Sequence, residues 1–116
     1  MRIGVPRESK VMEYRVGMVP DSVASLVRAG HEVWVETGAG EGSGIGDAEF
    51  EASGAKLVSR EQAWGEPDLV VKVKEPRPDE VALMRPDQVL FTYLHLAANR
   101  ELTECLCDAG VIALAY

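Results

Sequence analysis

Two short segments of this sequence end in side chains suited to binding an anion and moving a proton. Asp68–Lys74 is a predicted strand that stops before Glu75-Pro76, and Gln88–Tyr93 is a second predicted strand that leads to His95. Ligands of an open α/β sheet bind at the carboxyl ends of its strands. A cation at Lys74 and a general acid or base at His95 could therefore face the same cleft and act on an anionic substrate.

Each of these side chains also has a structural interpretation. Lys72 lies on the same side of its predicted strand as Lys74, and a solvated ammonium that discourages unwanted strand pairing is the favoured interpretation for Lys72. For Lys74 the structural and functional interpretations are evenly balanced. A lone histidine beside apolar residues usually packs in a core, but the position of His95 at a strand end favours a role in proton transfer.

Arg15 is the third candidate, and it lies in the polar segment that follows the first predicted strand. A guanidinium is the best receptor for a carboxylate, because its planar fork matches two oxygens at once. The alternative is an arginine that is solvated or paired with a neighbour such as Glu13. His31, at the start of another predicted strand, is interpreted as a surface residue.

The elements that must position these side chains alternate along the chain. Strands are predicted at Arg2–Val5, His31–Glu36, Ala55–Val58, Asp68–Lys74, Gln88–Tyr93 and Val111–Tyr116. Helices are predicted to begin at Pro20 and Pro78, and after the caps Asp47, Ser59 and Asn99. This alternation predicts an α/β, Rossmann-like fold with an open, mainly parallel sheet and helices on both faces, spanning residues 1–116.

The glycine-rich loop Gly38–Gly46 does not carry a dinucleotide fingerprint. No three glycines have the G-x-G-x-x-G spacing, the helix that follows is short, and no acidic residue ends a strand about twenty positions later. The glycines are interpreted as backbone relief for a tight loop that could line a substrate site. No cofactor-binding and no metal-binding residues are predicted in this chain.

Composition narrows the class of protein. The chain has 116 residues, 47% of them hydrophobic, and a formal net charge of −7. An acidic chain of this kind argues against nucleic acid or an anionic membrane as the main partner, and no apolar run approaches the roughly 20 residues of a membrane span. Cys105 and Cys107 are two apart on a predicted helix and point to different faces, so two reduced thiols in a cytoplasmic protein are expected.

Several sequence blocks together resemble the N-terminal part of the alanine dehydrogenase and nicotinamide nucleotide transhydrogenase family. The blocks are Ile3-Gly4-Val5-Pro6-Arg7-Glu8, Glu13-Tyr14-Arg15-Val16, Gly30-His31-Glu32-Val33, Glu36 to Gly44, Val71 to Pro76 and Leu90 to Ala98. The last two blocks, with their Lys-Glu-Pro and Tyr-Leu-His sequences, resemble the alanine dehydrogenase branch specifically.

The resemblance implies a reversible, NAD-dependent oxidative deamination of L-alanine to pyruvate and ammonia. It also implies roles for three residues: Arg15 and Lys74 bind substrate, and His95 transfers a proton. By the same resemblance, residues 1–116 are the N-terminal part of a substrate domain, and the NAD-binding domain of the family would lie outside them. The isolated chain is therefore expected to be an inactive fragment. The family resemblance implies a homo-oligomer, typically a hexamer, and apolar surface left exposed on the fragment favours self-association.

Two other functions remain open from the sequence. One is a fragment similar to the transhydrogenase alpha subunit, against which the Tyr93-Leu94-His95 segment argues. The other is a non-catalytic module that binds small carboxylates or supports assembly. The absence of a dinucleotide fingerprint favours this second function for the chain as it stands.

Overall fold

A computed structural model describes residues 1–116 as a six-stranded, all-parallel sheet in the order β3-β2-β1-β4-β5-β6. The strands are β1 (Arg2–Val5), β2 (Glu32–Glu36), β3 (Lys56–Val58), β4 (Leu69–Val71), β5 (Val89–Thr92) and β6 (Ile112–Ala115). The helices are α1 (Pro20–Arg28), α2 (Asp47–Ala52), α3 (Arg60–Gly65), α4 (Pro78–Val81) and α5 (Arg100–Ala109), with short 3-10 turns at Glu41–Ser43 and Leu96–Ala98.

Helices cover both faces of the sheet, because β2 presents apolar side chains to each side. Val33 and Val35 belong to one buried cluster that includes Phe50 of α2. Trp34, between them, points the other way and packs with Ala63 of α3. The predicted α/β class, with helices on both faces of an open parallel sheet, is confirmed.

Most helix ends follow local sequence signals. Ser59 accepts a hydrogen bond from the Gln62 amide, the capping box that the sequence predicts, and Asn99 accepts one from the Leu102 amide at 3.0 Å. The predicted cap at Asp47 is wrong. The N-cap is Gly46, because the Asp47 carboxylate instead accepts a hydrogen bond from the Gly38 amide at 2.9 Å.

The strands β4 and β5 end earlier than the sequence predicts, and β5 stops at Thr92 rather than at Tyr93. β4 stops at Val71 rather than at Lys74, although the Lys72 amide still donates to Phe91 at 3.1 Å and the Tyr93 amide donates to Val73 at 3.2 Å. The amides of Val73 and Lys74 both donate to the side chain of Glu8. These amides leave the sheet because a carboxylate replaces strand carbonyls as their acceptor.

Two further sequence predictions concern the helical layer. The longest helix, α5, has 10 residues, and no helix combines the length and apolar character needed to cross a bilayer. Cys105 and Cys107 are both free, which confirms the prediction of unbridged thiols.

Candidate functional site

A cavity of about 260 Å³ opens at the edge of the sheet where β4, β5 and β6 end. Its walls are formed by Arg15, Val73, Lys74, Tyr93, His95 and Tyr116. Arg15, Lys74 and His95, selected separately from the sequence, are therefore brought together. Since the lining includes three basic side chains and no acidic one, the cavity suits an anion of a few heavy atoms.

The segment that carries Lys74 is anchored by an ion pair that the sequence analysis interpreted differently. The prediction that Lys72 is a solvated surface lysine is wrong, because its side chain is 0% exposed. Its ammonium donates to Glu8 Oε2 at 3.0 Å, and the Glu8 side chain is only 2% exposed. A buried ammonium needs such a counter-charge, so Glu8 is what makes burial of Lys72 tolerable.

Glu8 and Tyr116 hold this segment from two directions. The Glu8 carboxylate accepts hydrogen bonds from the amides of Val73 at 2.7 Å and Lys74 at 3.3 Å. The Tyr116 hydroxyl donates to the carbonyl of Lys72 at 2.7 Å. Burial, and to a lesser extent the nearby Glu8 carboxylate, raise the pKa of Tyr116, so the hydroxyl keeps its proton for this hydrogen bond. Lys74 thus projects from a fixed stretch of backbone.

Tyr93 lies beside both candidate groups on this side of the cavity. The Lys74 ammonium is 5.8 Å from the centre of the Tyr93 ring. The His95 ring meets Tyr93 edge to face, with ring centres 4.2 Å apart and an interplanar angle of 78°. An aromatic face attracts a cation and restrains a neighbouring ring, so Tyr93 supports both groups.

His95 adopts the left-handed backbone conformation, with φ 51° and ψ 33°. This conformation turns the chain sharply at the end of β5 and begins the short 3-10 turn. His95 Nδ1 lies 3.3 Å from Glu75 Oε2, and the other Glu75 oxygen lies 3.0 Å from Lys10 Nζ. Burial acts to raise the pKa of Glu75, but hydrogen bonds from Lys10 and His95 outweigh it and leave this pKa below its usual value.

Arg15 forms an ion pair with its neighbour Glu13, as the alternative in the sequence analysis proposed. It also lies on the wall of the cavity. The Arg15 Nε and Nη2 atoms each donate to a Glu13 oxygen at 2.7 Å. This fork engages one edge of the guanidinium and leaves Nη1 without a hydrogen bond to Glu13. A guanidinium oriented in this way can still meet a carboxylate.

The glycine-rich loop packs against the backbone of Tyr14, next to Arg15. It does not line the cavity that contains His95. A Cβ at Gly42 would lie 2.7 Å from the Tyr14 carbonyl oxygen. The Ser43 hydroxyl donates to the same carbonyl at 2.9 Å. These contacts show that the glycines allow close packing against the chain next to Arg15. Gly42 also lines a second hollow together with Arg15, so a role of this loop in lining a substrate site stays a prediction.

The pairing of Glu13 with Arg15 should survive mild acid, because the hydrogen bond from Arg15 lowers the Glu13 pKa from 4.5 to about 2. A carboxyl whose pKa is lowered by folding adds stability above its unfolded pKa, and loses it as pH falls through the folded value. We expect the Arg15 Nε–H resonance to be constant from neutral pH to about 4.5 and to shift only as pH approaches about 2. In Glu13→Gln this transition should be absent, and its persistence would contradict the pairing.

Three residues of the site carry no local sign of their role. Glu8 lies 64 residues before Lys72 in the sequence, Glu75 lies 20 residues before His95, and Tyr116 ends the chain. The only signal available was that Glu8 and Glu75 fall inside the sequence blocks that carry the family resemblance. Nothing in their spacing distinguishes them from solvated acids.

Comparison with known proteins places the chain in a family. A family model described as "Alanine dehydrogenase/PNT, N-terminal domain" matches residues 4–116. This chain belongs to that family. The family resemblance seen in the sequence is thereby confirmed.

Curated relatives within the alanine dehydrogenase/PNT family are considerably longer than this chain. Alanine dehydrogenase of Mycobacterium tuberculosis is 51% identical over 117 residues, which cover 100% of this chain and 32% of the relative. Alanine dehydrogenase of Bacillus subtilis is 48% identical over 116 residues, covering 100% of this chain and 31% of the relative. The chain therefore spans about a third of the length of these relatives.

Solved structures give the same fold and separate the two branches of the family. An L-alanine dehydrogenase matches with a TM-score of 0.97 and 56% identity, over 100% of this chain and 32% of that one. A transhydrogenase from Sinorhizobium meliloti matches with a TM-score of 0.94 and 31% identity, over 99% of this chain and 34% of that one. The chain is thus more similar to the alanine dehydrogenase, as the Tyr-Leu-His segment predicts.

Proposed function

We propose that this chain is the substrate-binding part of an NAD-dependent alanine dehydrogenase. The reaction would convert L-alanine, NAD+ and water into pyruvate, ammonium, NADH and a proton, and would be reversible. The observation that carries the proposal is the convergence of Arg15, Lys74 and His95 on one cavity with no acidic lining residue. The similarity to curated alanine dehydrogenases supports the same substrate class.

The three side chains match the parts of a 2-keto acid. In the proposed site, Arg15 holds the carboxylate of pyruvate, and Lys74 donates a hydrogen bond to the oxygen on the reacting carbon. His95 accepts or returns a proton as that carbon is oxidised or reduced. Fixed donors aimed at developing charge act strongly where a site excludes water.

The geometry of the glycine-rich loop supports the proposal that a dinucleotide binds elsewhere. A Cβ at Gly40 would lie 2.6 Å from both the Ile45 carbonyl oxygen and the Phe50 ring, so the loop is filled by its own residues. The helix that follows, α2, has only 6 residues. We therefore propose that NAD is bound by a separate domain outside residues 1–116, and that this chain alone has no turnover.

Calorimetry on the chain tests whether it binds the substrate but not the dinucleotide. Pyruvate should bind, NADH should not, and pyruvamide, which lacks the carboxylate, should bind much more weakly. The matched variants are Lys74→Met, which should remove pyruvate binding, and Lys56→Met, at the opposite edge of the sheet, which should not. The proposal would be contradicted if the folded chain did not bind pyruvate, or if the chain by itself catalysed turnover of alanine with NAD.

Assembly and location remain predictions. A homo-oligomer is supported by the apolar side chains of Ile112 and Leu114 on the edge strand β6, each 50% exposed. A hexamer and a cytoplasmic location are what the family resemblance and the free thiols of Cys105 and Cys107 favour.

A further inference from the structure

We infer that Glu75 is a positioning residue that sets the tautomer and orientation of the His95 imidazole, and that Lys10 holds Glu75 in place. The inference rests on the proposed function, since it gives His95 a defined nitrogen with which to exchange a proton. Glu75 itself is absent from the cavity wall, so it would act only through His95.

The contacts of the carboxylate are divided between its two oxygens. Oε2 lies 3.3 Å from His95 Nδ1, and Oε1 lies 3.0 Å from Lys10 Nζ. The Glu75 side chain is 16% exposed, against 45% for His95. The carboxylate is therefore the more fixed member of the pair, and the imidazole is the member that reaches the cavity.

The direction of the hydrogen bond follows from the charge of Glu75. An ionised carboxylate can only accept, so His95 Nδ1 must carry the hydrogen and donate it. Neutral imidazole has one donor and one acceptor, and Nε2 is then left with a free lone pair. The lowered pKa of Glu75 agrees with an ionised carboxylate at neutral pH.

This arrangement also provides a counter-charge for the imidazolium that the reaction would create. When Nε2 takes a proton the imidazole becomes a cation, and the Glu75 carboxylate beside Nδ1 is its counter-charge. Lys10 partly neutralises the carboxylate while His95 is neutral, which lowers the cost of keeping Glu75 ionised and poorly solvated. The edge-to-face contact with Tyr93 restrains the ring on another side.

Nitrogen NMR and kinetics test the inference together. In the chain labelled with 15N-histidine, His95 should show a protonated Nδ1 and an unprotonated Nε2 at a pH where the ring is neutral. An unprotonated Nδ1 would overturn the inference without any appeal to turnover. This measurement also stands if a Glu75 variant fails to fold.

Kinetics use the full-length enzyme proposed above, with pyruvate, ammonia and NADH as reactants. Glu75→Gln keeps the side-chain length and an acceptor oxygen but removes the charge. It should lower kcat about 10- to 100-fold, a part of the roughly 10²- to 10⁴-fold contribution of a positioned acid or base, with a much smaller change in KM. Glu75→Asp, which keeps the charge, should recover part of the loss.

The matched control is Glu104→Gln, which breaks an exposed pair between Arg100 and Glu104 on α5 and should leave kcat unchanged. A Glu75→Gln enzyme with kcat within twofold of the parent would overturn the role inferred for Glu75, but it would not contradict the proposed function. Failure of the proposed function has a different signature, because the parent enzyme itself would then show no turnover of pyruvate, ammonia and NADH.

Discussion

His95→Asn is expected to lower the turnover of alanine by at least about 10²-fold, the smaller end of what a positioned acid or base contributes. Asparagine is the informative replacement, because it tolerates the left-handed backbone that His95 adopts at φ 51°. His95→Ala should lose as much activity, but it cannot separate lost chemistry from altered backbone preference. A variant that removes proton transfer and spares the fold should keep the parent's unfolding midpoint.

Lys74→Ala should also strongly lower turnover in the full-length enzyme. A fully used charge contact is worth about 2–5 kcal/mol of binding, which corresponds to roughly a 30- to 5,000-fold loss of kcat/KM. The Lys74 side chain makes no ion pair in the structure, so its removal strands no counter-charge and should spare the fold. Lys74→Arg tests whether a compact ammonium is required, because the larger guanidinium would crowd the cavity of about 260 Å³.

Steady-state kinetics with alanine and NAD, together with circular dichroism, decide both outcomes. Lys56→Met is the matched control for Lys74→Ala, since Lys56 lies over Trp34 at the far edge of the sheet. Parent-like rates in either His95→Asn or Lys74→Ala would remove that residue from the proposed site.

Glu8→Gln should have the largest effect on stability of any change considered. It leaves the Lys72 ammonium, which is 0% exposed, without its counter-charge, and breaking a buried pair on one side costs about 3–5 kcal/mol. The new side-chain carboxamide would also place a donor against the donating amide of Val73 in one orientation, or against the Lys74 amide and the Lys72 ammonium in the other. Urea unfolding of the chain should therefore show a much lower free energy of unfolding in Glu8→Gln.

The double variant Glu8→Gln with Lys72→Met separates the charge from the packing. Methionine fills a similar volume beside Trp64, whose ring centre lies 5.7 Å from the Lys72 ammonium, and no charge is then left buried. Replacing both members of a buried pair is often close to neutral, so most of the lost stability should return. A single variant that loses less than about 1 kcal/mol, or a double variant that recovers nothing, would contradict this account of the pair.

Local sequence signals predicted the framework around these residues because each signal acts within a few positions. Ser59 caps α3 and Asn99 caps α5 as expected, and Gly110 takes the left-handed conformation that ends α5, with φ 67°. The error at the end of β4 arose because Glu8, from another part of the chain, provides the acceptors for two of its amides.

The sequence by itself determined the alternation of strands and helices, and with it the position of Lys74 and His95 at the carboxyl ends of neighbouring parallel strands. Hydrophobic periodicity and helix caps depend on residues only a few positions apart, so they can be read from the sequence. Because the strands pair in parallel, their carboxyl ends lie at the same edge of the sheet. Only the tertiary structure decided that Lys72 is buried against Glu8, and that Lys10, Glu75 and His95 form a chain of contacts. Pairs between residues far apart in sequence leave no periodic trace, because their distance is set by how the strands and loops pack.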